Sequence, residues 1–149
     1  MSEVSIIARN RKKEEIAKKL GCKALYDEAD PKIIQERFDF ILCTIPANFN
    51  IHAYIGLLKH GGEFCAVGLP PQFERPSVDV AQLIFAGQKR ISGSCIGSIK
   101  ETQEMLEFSL AHNIMPEIQV VRADQIDWVY EQLLSGAGEF RYVIDMSTL

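Results

Sequence analysis

Four cations in five positions, Arg9-Asn10-Arg11-Lys12-Lys13, follow directly on the apolar stretch Val4 to Ala8. Cations packed this closely suit a ligand group carrying two negative charges, and an arginine offers such a group a planar fork of donors. The same run also reads as the solvated face of a helix, since residues 9 to 23 carry seven basic side chains and charge runs are commonly surface. Three further segments combine small, polar and turn-forming residues: Thr44-Ile45-Pro46, Val67-Gly68-Leu69-Pro70 and Gly93-Ser94-Cys95-Ile96-Gly97. Other chemistry is poorly represented. His52, His60 and His112 have no Cys or His at metal-ligand spacing and read as structural or surface residues. No Ser/His/Asp arrangement stands out. The cysteines, Cys22, Cys43, Cys65 and Cys95, contain no C-x-x-C, which argues against a zinc ribbon, a disulfide framework or a redox pair.

The elements that must position these segments alternate along the chain. Apolar strand-like runs occur at Val4 to Ala8, Ala24 to Tyr26, Phe38 to Ile45, Phe64 to Leu69, Arg90 to Ile96, Ile118 to Val121 and Phe140 to Asp145. Between them lie helical patterns: Arg11 to Leu20, stopped by Gly21; a short helix opened by Asp30-Pro31; Phe49 to Lys59, ended by Gly61-Gly62; and Val78 to Ala86. Ser98 with Glu101 predicts a capping box for a helix to about His112. Asp124 is expected to cap the next, whose Ile126, Val129, Tyr130, Leu133 and Leu134 share one face before Gly136. Such alternation predicts a parallel α/β sheet in one domain, residues 1–149, and in such sheets ligands bind beyond the carboxyl ends of the strands. All four segments singled out above follow predicted strands. The first stands where a dinucleotide fold tests its cofactor: a site for NAD places an acid at its strand end to hold the ribose 2'-hydroxyl, whereas a site for NADP omits it and supplies cations. A solvated helix face remains the other reading of the run. Here the strand ends in Ala8-Arg9-Asn10, and the first acid is Glu14.

Hydrophobic residues make up 47% of the 149 and charged residues 24%, the composition of a globular protein rather than a disordered or fibrous one. A net charge of -4 argues against a general nucleic-acid surface, and no apolar run reaches the roughly 20 residues that span a bilayer. A cytoplasmic protein is expected.

From Phe38 to Leu149 the sequence resembles the zinc-dependent medium-chain alcohol dehydrogenases, in their cinnamyl alcohol dehydrogenase branch. The resemblance rests on Thr44-Ile45-Pro46, Leu57-Leu58-Lys59 before Gly61-Gly62, Val67-Gly68, Ile91 to Gly97 running into Lys100-Glu101-Thr102-Gln103-Glu104-Met105-Leu106, and Phe140 to Asp145. It implies an incomplete Rossmann-like parallel sheet that binds NADP. On this resemblance Arg9, Asn10 and Lys13 face the 2'-phosphate, Thr44, Ile45 and Pro46 lie along the adenosine and ribose, Gly68, Leu69, Ser94 and Ile96 lie near the nicotinamide, and Arg141 reaches the pyrophosphate. Cys43 stands where the relatives usually carry Asp.

The sequence also departs from that family. The first strand with its G-x-G-x-x-G turn has no counterpart in the 149 residues, nor have the zinc ligands of the amino-terminal catalytic half. The resemblance therefore implies the C-terminal, cofactor-binding portion of an alcohol dehydrogenase, silent without a missing half. A nucleotide-binding module and a self-associating structural unit are the alternatives, and the alcohol or aldehyde substrate is not legible. In the usual strand order the absent strand is central, and burying about four aliphatic side chains there is worth about 8 kcal/mol in all. A folded chain is expected to compensate by closing the gap or by borrowing strands. A homodimer or larger is expected through the strand Arg90 to Ile96, as the family resemblance implies.

Overall fold

The computed structural model describes residues 2–9, 11, 14–27, 34–85, 87–136 and 141–149. The chain forms two compact units, Met1–Cys95 and Ile96–Leu149. In the first, β1 (Ser5–Ala8), α1 (Glu14–Lys19) and β2 (Ala24–Asp27) make a parallel pair with its crossover helix. Then follow β3 (Phe38–Cys43), α2 (Ile51–Ile55), β4 (Leu58–Ala66), α3 (Val80–Phe85) and β5 (Arg90–Gly93). These strands form a parallel sheet in the order β3-β4-β5. The second unit comprises α4 (Ile99–Ala111), β6 (Ile118–Arg122), α5 (Ile126–Ser135) and β7 (Arg141–Asp145), with β6 and β7 again parallel. The α/β class and the parallel pairing agree with the sequence reading, though the described strands are divided among three separate sheets.

The core of the first unit is Cys43, Ile51, Tyr54, Ile55, Leu58 and Phe64, with Ile7, Ile41, Leu83 and Ile91 packed on it from the surrounding elements. Phe64 and Ile55 are fully enclosed, so β4 and α2 form the centre. In the second unit only Val121 is buried among the described residues, and Val120, Val143 and Ile144 of its two strands remain open.

Several boundaries differ from expectation. The helix expected over Phe49 to Lys59 is only α2, because Leu57 and Leu58 are drawn into the sheet: Phe38 N–H donates to the Leu57 carbonyl at 2.9 Å, and Leu58 stands opposite Phe38. Gly61-Gly62 is not a helix stop but lies within β4, where the register shifts from Phe38 opposite Leu58 to Phe40 opposite Glu63. Gly61 takes a φ of +70°, a conformation that suits such an irregularity. β4 ends at Ala66 rather than Leu69, since the next two amides turn to the Cys43 carbonyl. β5 likewise ends at Gly93.

The capping box at α4 is present: Ser98 Oγ accepts from Glu101 N–H at 3.2 Å, and Glu101 accepts from Ser98 N–H at 2.7 Å. Gly136, at φ +69°, closes α5 in the left-handed conformation. Asp124 does not cap that helix. It sits in a 3-10 turn, Ala123–Gln125, paired with Arg122 at 3.1 Å, and α5 begins only at Ile126. The helix expected at Asp30-Pro31 lies outside the described residues. No disulfide joins the four cysteines; Cys43 and Cys65 are buried on β3 and β4, where a thiol packs as a small hydrophobe.

Candidate functional site

Two of the predicted segments meet because one main chain lies against another. Beyond the carboxyl end of β3 the Cys43 carbonyl accepts from both Val67 N–H at 2.9 Å and Gly68 N–H at 3.1 Å. This draws the loop after β4 onto Thr44-Ile45 so tightly that a Cβ on Gly68 would stand 2.3 Å from the Ile45 carbonyl oxygen and 2.7 Å from the Thr44 carbonyl carbon. Glycine at 68 is therefore required by the backbone of β3's own loop. Ser94 N–H then donates to the Ala66 carbonyl at 3.1 Å, which adds the loop after β5. Thr44, Ile45, Gly68 and Ser94 are thus tied together along the carboxyl ends of three neighbouring strands. Thr44, Pro46, Leu69 and Ser94 are exposed there, while Ile45 and Gly68 are half-buried. Cys43 contributes its main chain to this junction and buries its side chain.

Arg9 is exposed just beyond β1, with no acid on any described residue paired to it. The other cations of that run divide. Arg11 is bound to Glu14 at 3.0 Å, and Lys18 to Glu14 at 3.3 Å and Glu15 at 3.4 Å, so the surface-helix explanation accounts for these two. Both glutamates hold the Lys18 ammonium above its usual range, Glu14 more strongly. Asn10 and Lys13 lie outside the described residues. Ile96 and Arg141 belong to the second unit, where Ile96 is 93% exposed and Arg141 opens β7 opposite Ile118.

A feature invisible to motif reading sits at the opposite, amino-terminal ends of the strands. Lys23 Nζ is 2.8 Å from Glu3 and 2.8 Å from Glu36, each two positions before its strand, β1 and β3, and Tyr26 donates to Glu36 as well. These bonds hold the Lys23 ammonium above its ordinary range and the Glu36 carboxyl below its own, Lys23 being the larger cause of the latter. Residues 20 and 13 positions apart in sequence give no local signal of such a clamp.

Metal and cofactor differ in how they fit. Among the described residues no group of three or more His, Cys, Asp or Glu side chains could hold a metal ion, so zinc finds no ligand set here. A dinucleotide phosphate fits better, given an acid-free β1 end with an exposed Arg9 and a glycine-bearing junction at the ends of β3, β4 and β5.

The sequence model of the zinc-binding dehydrogenases matches residues 1–111. The chain belongs to that family. Its relatives place it among the zinc-dependent medium-chain alcohol dehydrogenases of cinnamyl alcohol dehydrogenase type, of which it represents the C-terminal portion. It is 38% identical over 151 residues to a probable formaldehyde dehydrogenase of Bacillus subtilis, and 38% identical over the same length to an NADP-dependent alcohol dehydrogenase C of Mycolicibacterium smegmatis. Each match covers 99% of this chain and 42% of the relative. The crystal structure of CAD from Helicobacter pylori complexed with NADP(H) superposes with a TM-score of 0.88 at 45% identity, over 97% of this chain and 41% of that one. A cinnamyl alcohol dehydrogenase of Sorghum bicolor gives 0.86 at 29% identity, over 97% and 41%. The chain thus spans about two fifths of the length of these relatives. No described helix is long and apolar enough to cross a membrane.

Proposed function

We propose that this chain is the NADP-binding portion of a cytoplasmic alcohol dehydrogenase that interconverts an alcohol and an aldehyde. The observation that carries the reading is the end of β1, where Arg9 is exposed and Ala8 stands in place of an acid. Arg9, with Asn10 and Lys13, holds the 2'-phosphate. Thr44, Ile45 and Pro46 flank the adenosine and ribose, while Gly68, which has no side chain to hinder the ring, lies with Leu69 and Ser94 toward the nicotinamide. The assignments of Ile96 to the nicotinamide and Arg141 to the pyrophosphate rest on family resemblance alone. When bound, NADP supplies the carbon that accepts or gives the hydride. The chain's own residues bind and orient it, and the 149 residues alone turn over no alcohol. An exposed β5 edge, with Arg90 and Gly93 open, supports a homodimer built through that strand. Titration of NADPH and NADH against the purified chain tests the reading. Tighter binding of NADPH, with the difference shrinking as salt rises, is expected; equal affinities would return the basic run to an ordinary helix face.

A further inference from the structure

The segment 67–79, between β4 and α3, contains no helix or strand. Irregular stretches this long are uncommon in compact units and usually carry function. Both of its ends are tied to one short piece of chain, the connection from β3 into α2. At the near end Val67 N–H and Gly68 N–H donate to the Cys43 carbonyl. At the far end Asp79 N–H donates to His52 Nε2 at 3.1 Å. Cys43 and His52 bracket Thr44-Ile45-Pro46, so the two loops close into a frame around the predicted cofactor segments. Asp79 is also where α3 starts: its Oδ1 accepts from Ala81 N–H at 3.0 Å and its carbonyl from Gln82 N–H at 3.1 Å. Leu83, on the same helix, packs against the core. The helix is therefore seated by Leu83, and the His52 bond fixes where the loop enters it.

That bond also fixes the chemistry of the ring. A main-chain N–H only donates, so Nε2 must accept, and the neutral imidazole carries its hydrogen on Nδ1. Nδ1 is enclosed and has no partner among the described residues. An enclosed donor left unbonded is unfavourable, so nothing at Nδ1 selects this tautomer; the Asp79 amide does. Asn50 Oδ1 accepts from His52 N–H at 3.2 Å, which holds the backbone of His52 in the first turn of α2. We infer that His52 is a positioning residue: as the Nδ1–H tautomer it pins Asp79, and so holds the 67–79 loop, with Gly68 and Leu69, at the cofactor junction. The positioning role rests on the NADP reading; the pin itself does not.

The test uses two variants of the full 149-residue chain. His52→Gln loses the ring but brings an amide oxygen to the reach of Nε2, whereas His52→Phe keeps a ring and loses the acceptor. In long-range proton–nitrogen spectra at alkaline pH, the ring hydrogen of the unmodified chain should sit on Nδ1. Exchange at the Asp79 amide and the Kd for NADPH should each rise about fivefold in His52→Phe, the worth of one ordinary hydrogen bond, and stay within about twofold in His52→Gln. A hydrogen on Nε2, the reverse ranking of the variants, or no difference between them would overturn the pin and assign His52 to packing. Faster Asp79 exchange with an unchanged Kd would overturn the positioning role. Absence of NADPH binding by the unmodified chain would overturn the cofactor reading and the positioning role with it, while the spectra and the Asp79 exchange still decide the pin.

Discussion

At the residue scale, Gly68 and Lys23 carry the arrangement, and neither does so through a motif. Gly68→Ala would drive a methyl group into the Ile45 peptide, where main chain rather than a flexible side chain must give way. The loss should reach or exceed about 3 kcal/mol, the upper end for an overpacked site, and lower Tm in a thermal melt. An unchanged Tm would mean that the two loops separate freely. The Lys23 clamp sets a pH dependence. Glu36 is held below the usual glutamate range by Lys23 first and Tyr26 second, so its contribution is present above the unfolded value and is lost as pH falls through the lower folded one. Lys23 is shifted the other way, so on the alkaline side its contribution persists until pH passes its raised value. Lys23→Met should therefore lower the denaturant midpoint at pH 7, and the gap to the unmodified chain should narrow below about pH 4. A gap independent of pH would assign the loss to packing of the lysine stem.

At the element scale, legibility followed locality. The α4 cap was readable because Ser98 and Glu101 lie three residues apart and both bonds form within that turn. Ser98→Ala should cost about 1 kcal/mol and increase amide exchange in the first turn of α4 selectively. Loss spread evenly along the helix would show that the cap does not anchor that end. β4 was less legible, since Leu57 and Leu58 suit a helix as well as a strand and only Phe38, some 20 residues earlier, decides between them. Gly61-Gly62 misled for the same reason: a glycine pair ends a helix or shifts a register, and the partner strand determines which. The site was partly readable. Segments after strands could be named from sequence, but the contact of Gly68 with Ile45 depends on how closely two parallel strand ends approach.

At the scale of the whole molecule, a groove between β1 and β3 remains open, so the strands do not close the gap by pairing directly. Exposed apolar surface on β3, and on α4 at Leu106 and Phe108, favours association. Sedimentation equilibrium at micromolar concentration should return a dimer or larger species, and its unfolding midpoint should rise with protein concentration. A folded monomer with a concentration-independent midpoint would refute assembly through β5. The central claim, that the carboxyl ends of these strands receive NADP by its 2'-phosphate, is tested most directly by following backbone amide resonances through parallel titrations with NADPH and NADH. The account predicts that NADPH shifts Arg9, Thr44, Ile45, Gly68 and Ser94 together, and that NADH at equal concentration moves Arg9 far less. Shifts confined to other surfaces, or the same response of Arg9 to both cofactors, would contradict it.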